Sequence, residues 1–453
     1  ALMVFEVVYW LYMRPVWNGS LQSELYWSER LARTSGQIAS INMGLLVLPV
    51  ARNSLWVASL GIGWDAMIKW HTYLGTIFLG LALVHMICWM KLYNTDDYGW
   101  LTNLLWNTDY KSDNWTVNLQ VYTVLTVLVT NGALSMNYIR RNHFEVFHYS
   151  HHASIALFGT TLWHANSAWY YVLGGLSLWF LDRIMRTTQA YRTVNVQSIQ
   201  ALDCGDDITN ISYSVNPLTL FGMKASAAQP LEYVSGQYVF LNVPSISAWE
   251  WHPFTISSAP GDALTTHHIK AMGEGTFTGK LFELAKTRAL VADEVVMNVE
   301  GPFGVSIDLA KYDEVVLVVG GIGVTPAHSL FRDFLLRREA GTLPANVTSV
   351  KLIWIVRYPQ ILSIFEDTCK QALEANYPEF SLSLWADKAD EKPYEGGVPF
   401  NSGRPDIAEL ASSSAAAGMR CLMFHCGPPG LERATMKIAM ELGIDYRTET
   451  FAL

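Results

Sequence analysis

Two apolar stretches carry histidines, and an ionisable ring inside a lipid-length run is a candidate for function rather than packing. Stretch 69–90 holds His71 and His85; stretch 146–164 holds His151, His152 and His164. Fourteen residues rise about 21 Å on an α-helix and return to within about 40° of one face. His71 and His85 can therefore each meet a partner on a neighbouring helix, at two depths. Facing imidazoles in an apolar box suit heme iron gripped from both sides. Two hemes about 20 Å apart would carry electrons across a bilayer. The expected pairs are His71 with His151 on the cytoplasmic side and His85 with His164 on the outer side. His151 and His164 would lie about 140° apart on an ideal helix, and His152 and His164 about 120°. Either the helix departs from regularity, with Gly159–Thr161 the candidate place, or the hemes tilt, and spacing alone does not choose between His151 and His152. Phe78 and Phe158 fall between the paired histidines.

A second group of motifs lies after residue 190. His252-Pro253-Phe254-Thr255 follows a strand, and its backbone and Thr255 hydroxyl can bond a flavin edge. His268 and Lys270 offer a cation to a pyrophosphate, with donors from Gly275, Thr276 and Thr278. Val319-Gly320-Gly321-Ile322-Gly323-Val324-Thr325-Pro326 follows a buried strand and opens a helix, where small residues let backbone approach a phosphate. Cys426-Gly427-Pro428 also ends a strand, placing a sulfur where a nicotinamide ring can lie. Arg357 and Arg404 have the forked guanidinium that suits a 2′-phosphate.

The elements that must position these residues differ between the two parts of the chain. Of 453 residues, 51% are hydrophobic and 16% charged, which excludes a disordered or fibrous chain. A net charge of −9 argues against nucleic-acid binding. Residues 1–190 hold 13 of the 17 Trp but only 21 of the 71 charged residues, so a membrane part precedes a soluble part. Six transmembrane helices are expected, at 1–13, 36–60, 69–90, 117–138, 146–164 and 167–185. The Lys/Arg bias and the sequons at Asn18 and Asn114 favour a cytosolic soluble part. Residues 196–305 alternate like a small β-barrel, and 313–453 alternate buried strands with helices like a parallel α/β sheet. Five scattered cysteines suggest neither a disulfide framework nor a zinc site. The chain begins inside an apolar run, which suggests that a preceding segment is missing.

Taken in this order, the histidine pairs, HPFT, the GGIGVTP turn and the CGP turn resemble the transmembrane ferric reductase and NADPH oxidase superfamily over essentially the whole chain. The resemblance implies a six-helix bundle with two b-type hemes (1–190), an FAD-binding β-barrel (191–308) and an NADPH-binding α/β domain (309–453), the last two forming a ferredoxin-NADP reductase-like module. It selects His71, His85, His151 and His164 as heme ligands. It also matches Leu48–Asn53 to the end of the second span, and Arg33 to an arginine near the outer heme and the acceptor. Arg357 and Arg404 match NADPH contacts, and Phe451 the C-terminal aromatic that stacks on flavin, although Ala452 and Leu453 follow it here. The implied activity moves electrons from cytosolic NADPH through FAD and two hemes to an extracellular acceptor, in a multi-pass plasma-membrane protein. Where oxygen-reducing relatives carry a second histidine, this chain has Trp89. Asp96, Asp97, Asp109 and Asp113 in the outer loop can hold ferric iron. The reading leans to ferric chelates; O2, reduced to superoxide, is the alternative acceptor. A membrane transporter with a regulatory nucleotide-binding domain is the reading from another class.

Overall fold

The computed structural model describes residues 26–50, 64–93, 115–165, 167–190, 193–215, 231–288, 294–304, 311–389, 394–412 and 419–449, together with 4, 7, 8 and 307. The chain divides into two compact units, Ala1–Arg186 and Thr187–Leu453.

The first unit is helical: α1 (Tyr26–Leu46), α2 (Trp64–Tyr93), α3 (Trp115–Val127) with a π-helical turn over Leu128–Ala133, α4 (Asn137–Asn142), α5 (Phe144–His151), α6 (Ser154–His164) and α7 (Ala168–Ala190). Along α2, Trp70, Tyr73, Ile77, Val84 and Ile87 form an exposed apolar stripe at helical spacing. An unpartnered apolar stripe is what a lipid-facing helix presents. Among the described residues, Met67–Lys91 alone is long and apolar enough to span a membrane, with little of its length buried. Six transmembrane helices are therefore not confirmed among the described residues, and stretch 1–13 lies almost wholly outside them.

Two boundaries differ from the sequence expectation. The second stretch was expected over 36–60, but its helix starts at Tyr26 and ends at Leu46. The charged residues Glu29, Arg30 and Arg33 hide this start from a hydropathy reading, yet Glu29 is buried and bonded to Arg33 rather than solvated. The fifth stretch is two helices, and the break falls at His152–Ala153 rather than near Gly159–Thr161. The Ser154 hydroxyl closes the break by donating to the His151 carbonyl. Elsewhere α1 and α7 pack backbone to backbone, because a Cβ on Gly175 would collide with the Gly44 carbonyl.

The second unit opens with the antiparallel strands β1 (Thr193–Asp203), β2 (Asp207–Val215), β3 (Tyr238–Asn242), β4 (His252–Thr255), β5 (Thr265–Lys270) and β6 (Met297–Phe303), in the order β4-β3-β6-β1-β2-β5. Ser257, just past β4, donates its backbone N–H to Thr266 O of β5 at 2.8 Å, which brings the sheet's two edges together as a barrel. Helix α8 (Phe277–Arg288) lies against it and buries Phe277 and Leu281 in the barrel core.

A second sheet follows, built from β7 (Glu314–Gly320), β8 (Ser349–Val356), β9 (Phe380–Ala386), β10 (Asn401–Ser402), β11 (Cys421–Cys426) and β12 (Asp445–Glu449). It is parallel throughout, in the order β10-β9-β8-β7-β11-β12, and β7 and β11 at its centre are wholly buried. Helices α9 (Val324–Glu339), α10 (Glu366–Ala375), α11 (Ile407–Ser412) and α12 (Pro429–Leu442) make the crossovers. Such continuous apolar strands are what a sheet covered on both faces requires. This barrel and parallel sheet form the ferredoxin-NADP reductase-like arrangement that the sequence led us to expect.

Candidate functional site: two histidine pairs and a dinucleotide cleft

In the helical unit the four histidines meet in two pairs. The rings of His71 and His151 have centres 6.0 Å apart, and those of His85 and His164 6.2 Å apart. Between His151 and His164 the helix tightens at His152–Ala153, where His152 and Ala153 N–H donate to the carbonyls three residues back. His152 instead turns to His148, with ring centres 4.8 Å apart.

The protonation pattern follows from the hydrogen bonds. His71 Nδ1 lies 2.9 Å from the Leu46 carbonyl and His85 Nδ1 2.7 Å from the Ala32 carbonyl. A carbonyl only accepts, so Nδ1 carries the proton and Nε2 keeps its lone pair. This is the second bond by which proteins fix metal-ligating histidines. Two imidazoles bound through Nε2 to one metal at about 2 Å have ring centres about 6 Å apart. Among the described residues, no group of three or more His, Cys, Asp or Glu side chains is placed to hold a metal ion. Two opposed imidazoles suit a metal already held in its equatorial plane, as heme iron is. A small apolar cavity lies beside His71 and His151, lined by Met43, Val47, Gly75, Phe78, Leu157 and Phe158 among others. Phe78 and Phe158 are thus walls of that cavity.

At the other pair, Gly36 lets His85 approach α1: a Cβ there would lie 2.5 Å from His85 Nδ1. Trp89 packs on His85 with centres 6.3 Å apart, and Arg33 sits over the Trp89 ring at 5.5 Å. Arg33 Nε donates to Glu29 Oε1 at 2.7 Å, while the buried Glu29 Oε2 has no partner among the described residues. The sequence reading missed Glu29; its place four residues before Arg33 was the available signal. The part of Leu48–Asn53 beyond Val50, together with Asp96, Asp97, Asp109, Asp113 and Phe451, lies outside the described residues.

In the second unit, HPFT forms β4 and pairs with β3, Tyr238 opposite Thr255. His252, half-buried, packs on Phe277 with centres 4.3 Å apart. Pro253 and Phe254 are half-buried, and Thr255 is buried with its carbonyl accepting from His267 Nδ1 at 2.7 Å. Nearby, the Thr276 hydroxyl caps α8 by accepting from Gly279 N–H at 3.0 Å. Gly275 adopts a positive φ of 80° that L side chains avoid, and Thr278 Oγ1 accepts from Met272 N–H. These residues form a loop at a helix N-terminus, where backbone N–H groups favour an anion. Lys270 reaches Asp206 at 2.7 Å.

His268 does not supply the cation expected of it. Its Nδ1 lies 2.9 Å from Ser257 Oγ, and its ring packs edge-on against Phe365. Burial, with smaller effects from His328 and His267, pushes its pKa down to about 3, so it is neutral near pH 7. It belongs to a buried joint between barrel and parallel sheet. There His328 stacks on Phe365 at 3.6 Å, with Nδ1 2.6 Å from Ser257 O and Nε2 2.8 Å from Thr368 Oγ1. Arg332 forks onto Asp262 nearby, both Nε and Nη2 lying 2.8 Å from Oδ1.

At the carboxyl ends of β7 and β11 the two glycine turns interlock. A Cβ on Gly320 would lie 2.7 Å from Pro428 Cδ, one on Gly323 2.5 Å from the Cys426 carbonyl, and one on Gly427 3.0 Å from Gly320 N. Gly321, at φ 56°, has open space beside it among the described residues. Val324, Thr325 and Pro326 begin α9 just past the carboxyl end of β7, the usual ligand position in open α/β sheets. The Cys426 thiol is fully buried in the core, and burial raises its pKa well above the ordinary thiol range. It is therefore a neutral, enclosed group in this structure, and the backbone of Gly427 and Pro428 is the part of the motif exposed at the cleft. Arg357, over the Tyr358 ring at 5.2 Å, follows β8 and is exposed. Arg404 is exposed and clamped by Asp387, Nη2 to Oδ2 at 2.8 Å and Nε to Oδ1 at 3.2 Å.

Comparison with known proteins matches three family models. They are a ferric reductase like transmembrane component at residues 35–162, an FAD-binding domain at 207–307 and a ferric reductase NAD binding domain at 312–384. Ferric reduction oxidase 8, mitochondrial, of Arabidopsis thaliana is 28% identical over 74% of this chain and 44% of its own length. Ferric reduction oxidase 2 of the same plant is 28% identical over 77% and 46%. The chain thus spans about half the length of these curated relatives. A superoxide-generating NADPH oxidase heavy chain of Dictyostelium discoideum is 26% identical over 90% of this chain and 85% of its own. A solved ferredoxin NADP+ reductase from Neisseria gonorrhoeae aligns with 57% of this chain and 98% of its own at 16% identity, with a TM-score of 0.39. With a transmembrane ferric reductase component followed by FAD-binding and NAD-binding domains, the chain belongs to the ferric reductase and NADPH oxidase superfamily of membrane flavoprotein oxidoreductases.

Proposed function

We propose that this chain is an NADPH-dependent metalloreductase, which moves electrons through FAD and two b-type hemes to ferric chelates outside a plasma membrane. The observation that carries the reading is the two facing histidine pairs, 6.0 and 6.2 Å between ring centres, with Nδ1 of His71 and of His85 bound to a backbone carbonyl. When bound, the cofactors supply hydride donation, its division into single electrons, and single-electron conduction. The protein supplies placement. His71 and His151 would hold one heme, and His85 and His164 the other. The HPFT strand and the loop before α8 would hold FAD, and the interlocked glycine turns with Arg357 and Arg404 would hold NADPH. Arg33, on Trp89 beside His85, would face the acceptor. The bilayer is the partner that the exposed stripe of α2 fits.

A second acceptor, O2, is favoured by the similarity to the Dictyostelium oxidase heavy chain, which spans most of both chains. The test compares ferric-citrate reduction with superoxide release, under air and under argon, using the full chain in lipid with NADPH. Ferric reduction that persists under argon supports the proposal. Superoxide release that dominates even with ferric citrate present replaces the acceptor. A reduced-minus-oxidised spectrum without a heme Soret shift overturns the electron path, and is the result a transporter with a regulatory nucleotide-binding domain would give.

A further inference from the structure

The cation that suits a 2′-phosphate is already engaged. Arg404 presents both guanidinium edge nitrogens to Asp387, at 2.8 and 3.2 Å, and Asp387 directly follows β9 at the carboxyl edge of the parallel sheet. The Arg404 hydrogen bonds hold the Asp387 carboxyl below the usual carboxylate range, with smaller pulls from Lys388 and Arg357. Among the described residues, Arg404, Lys388 and Arg357 thus act on the Asp387 carboxylate at this edge. Backbone bonds fix the frame: Asp387 N–H donates to Val356 O at 3.0 Å, Lys388 N–H to Arg357 O at 2.9 Å, and Gly403 N–H to Ala386 O at 2.8 Å. Arg404 follows Gly403, whose φ of 91° is a turn conformation that suits glycine.

We infer that Asp387 sets the nucleotide preference of this cleft by competing with the 2′-phosphate for Arg404. This inference rests on the dinucleotide reading above. A doubly charged phosphate has more acceptor oxygens than a carboxylate, and both use the same fork of donors. An exposed pair is weak enough to exchange partners. The phosphate must displace Asp387 or crowd against its charge, so part of its affinity is lost. A nucleotide without the 2′-phosphate leaves the pair intact. Asp387 therefore narrows the advantage of NADPH over NADH that Arg357, Lys388 and Arg404 would otherwise create. It acts through Arg404 and does not touch the reacting atoms.

The test titrates 2′-AMP and 5′-AMP into the full chain and its Asp387→Asn variant by calorimetry at low ionic strength. Asn keeps the size and removes the charge. The expected result is at least about threefold tighter 2′-AMP binding in the variant, with 5′-AMP within about twofold, and a gap that shrinks as salt screens the site. In steady state the KM for NADPH falls relative to that for NADH while kcat holds. Unchanged or weaker 2′-AMP binding in the variant overturns the inference, since Asp387 would then be neutral or would position Arg404 for the phosphate. Asp387→Glu, which keeps the charge, should stay close to the parent; a gain as large as that of Asn also overturns it. A parent chain that binds neither probe refutes the dinucleotide reading itself, a distinct outcome.

Discussion

Replacing Gly36 with alanine tests the histidine assignment through one methyl group. The new Cβ would stand 2.5 Å from His85 Nδ1 and 2.6 Å from His85 Cε1. Comfortable heavy-atom contact needs about 3.5 Å, so the ring or α1 must retreat by about 1 Å. The His85 Nδ1 bond to Ala32 O, now 2.7 Å, lies in the same place and would be broken by that retreat. Metal–ligand distances in real sites fall within about 0.2 Å of their usual values, so a ring displaced by about 1 Å should no longer act as a ligand. Overpacking of this kind costs about 1–3 kcal/mol. His71 and His151 are untouched, so one of the two pairs should remain. We expect extracted heme per chain to fall by about half, with the remaining heme still showing bis-histidine spectra. Gly80→Ala is the control, because a Cβ there meets nothing within 4 Å among the described residues. Full heme content and an unchanged spectrum in Gly36→Ala would refute the placement of His85 as a ligand.

Other consequences follow from the same geometry. His151→Ala should lose a heme while His152→Ala keeps both, because His71 faces His151 whereas His152 packs on His148; equal losses in extracted heme would reverse the choice. Arg404→Ala should raise the KM for NADPH by several-fold and leave that for NADH nearly unchanged; equal effects in steady-state assays would remove Arg404 from the phosphate site. Burial pushes the His328 pKa down to about 4 from an ordinary value of 6.5. The unfolded chain therefore binds the proton first as pH falls. Stability that is full above pH 6.5 should decline toward pH 4, by up to about 3 kcal/mol for this histidine alone. His267, also pushed to about 4 by burial, adds to the same slope. A melting temperature of the second unit that stays flat between pH 7 and 5 would refute this.

The amino-acid pattern made the barrel, the parallel sheet and the shared face of His71 and His85 legible, because each depends on periodicity, whereas the partner histidines were selected by the family resemblance and not by spacing. Alternation put His268 and Lys270 on the same face of β5, but alternation does not tell what covers a face. Phe365, almost a hundred residues away, closes over His268 and removes it from the charged groups. Glu29 and Arg33 were hidden from a hydropathy reading for a related reason: charges that satisfy each other inside a helix look like solvent-facing residues until the helix is placed. The break at His152–Ala153 contains no proline or glycine. The local bond that the structure shows there is from the Ser154 hydroxyl to the His151 carbonyl. Asp387 had no motif to announce it, since one carboxylate after a strand acquires meaning from the arginine that folds onto it.

The fourteen-residue spacing of His71 and His85 has a counterpart that gives it physical force. Their Nδ1 atoms bond to the carbonyls of Leu46 and Ala32, also fourteen residues apart and in reverse order. Helices α1 and α2 therefore run antiparallel in constant register over about 21 Å. Leu46 ends α1, so its carbonyl lacks an intrahelical donor and is free to accept. Ala32 lies inside the helix, where its carbonyl also accepts from the Ser35 hydroxyl at 3.0 Å. There the approach of the ring depends on Gly36 instead. One ligand is thus fixed by a helix end and the other by a missing side chain, and both depths are set by the same pair of rigid helices. The opposing histidines come from α5 and α6, which a tightened turn at His152–Ala153 connects. The shared register of α1 and α2 sets the separation of the two histidine pairs, across which the proposed metals would be held.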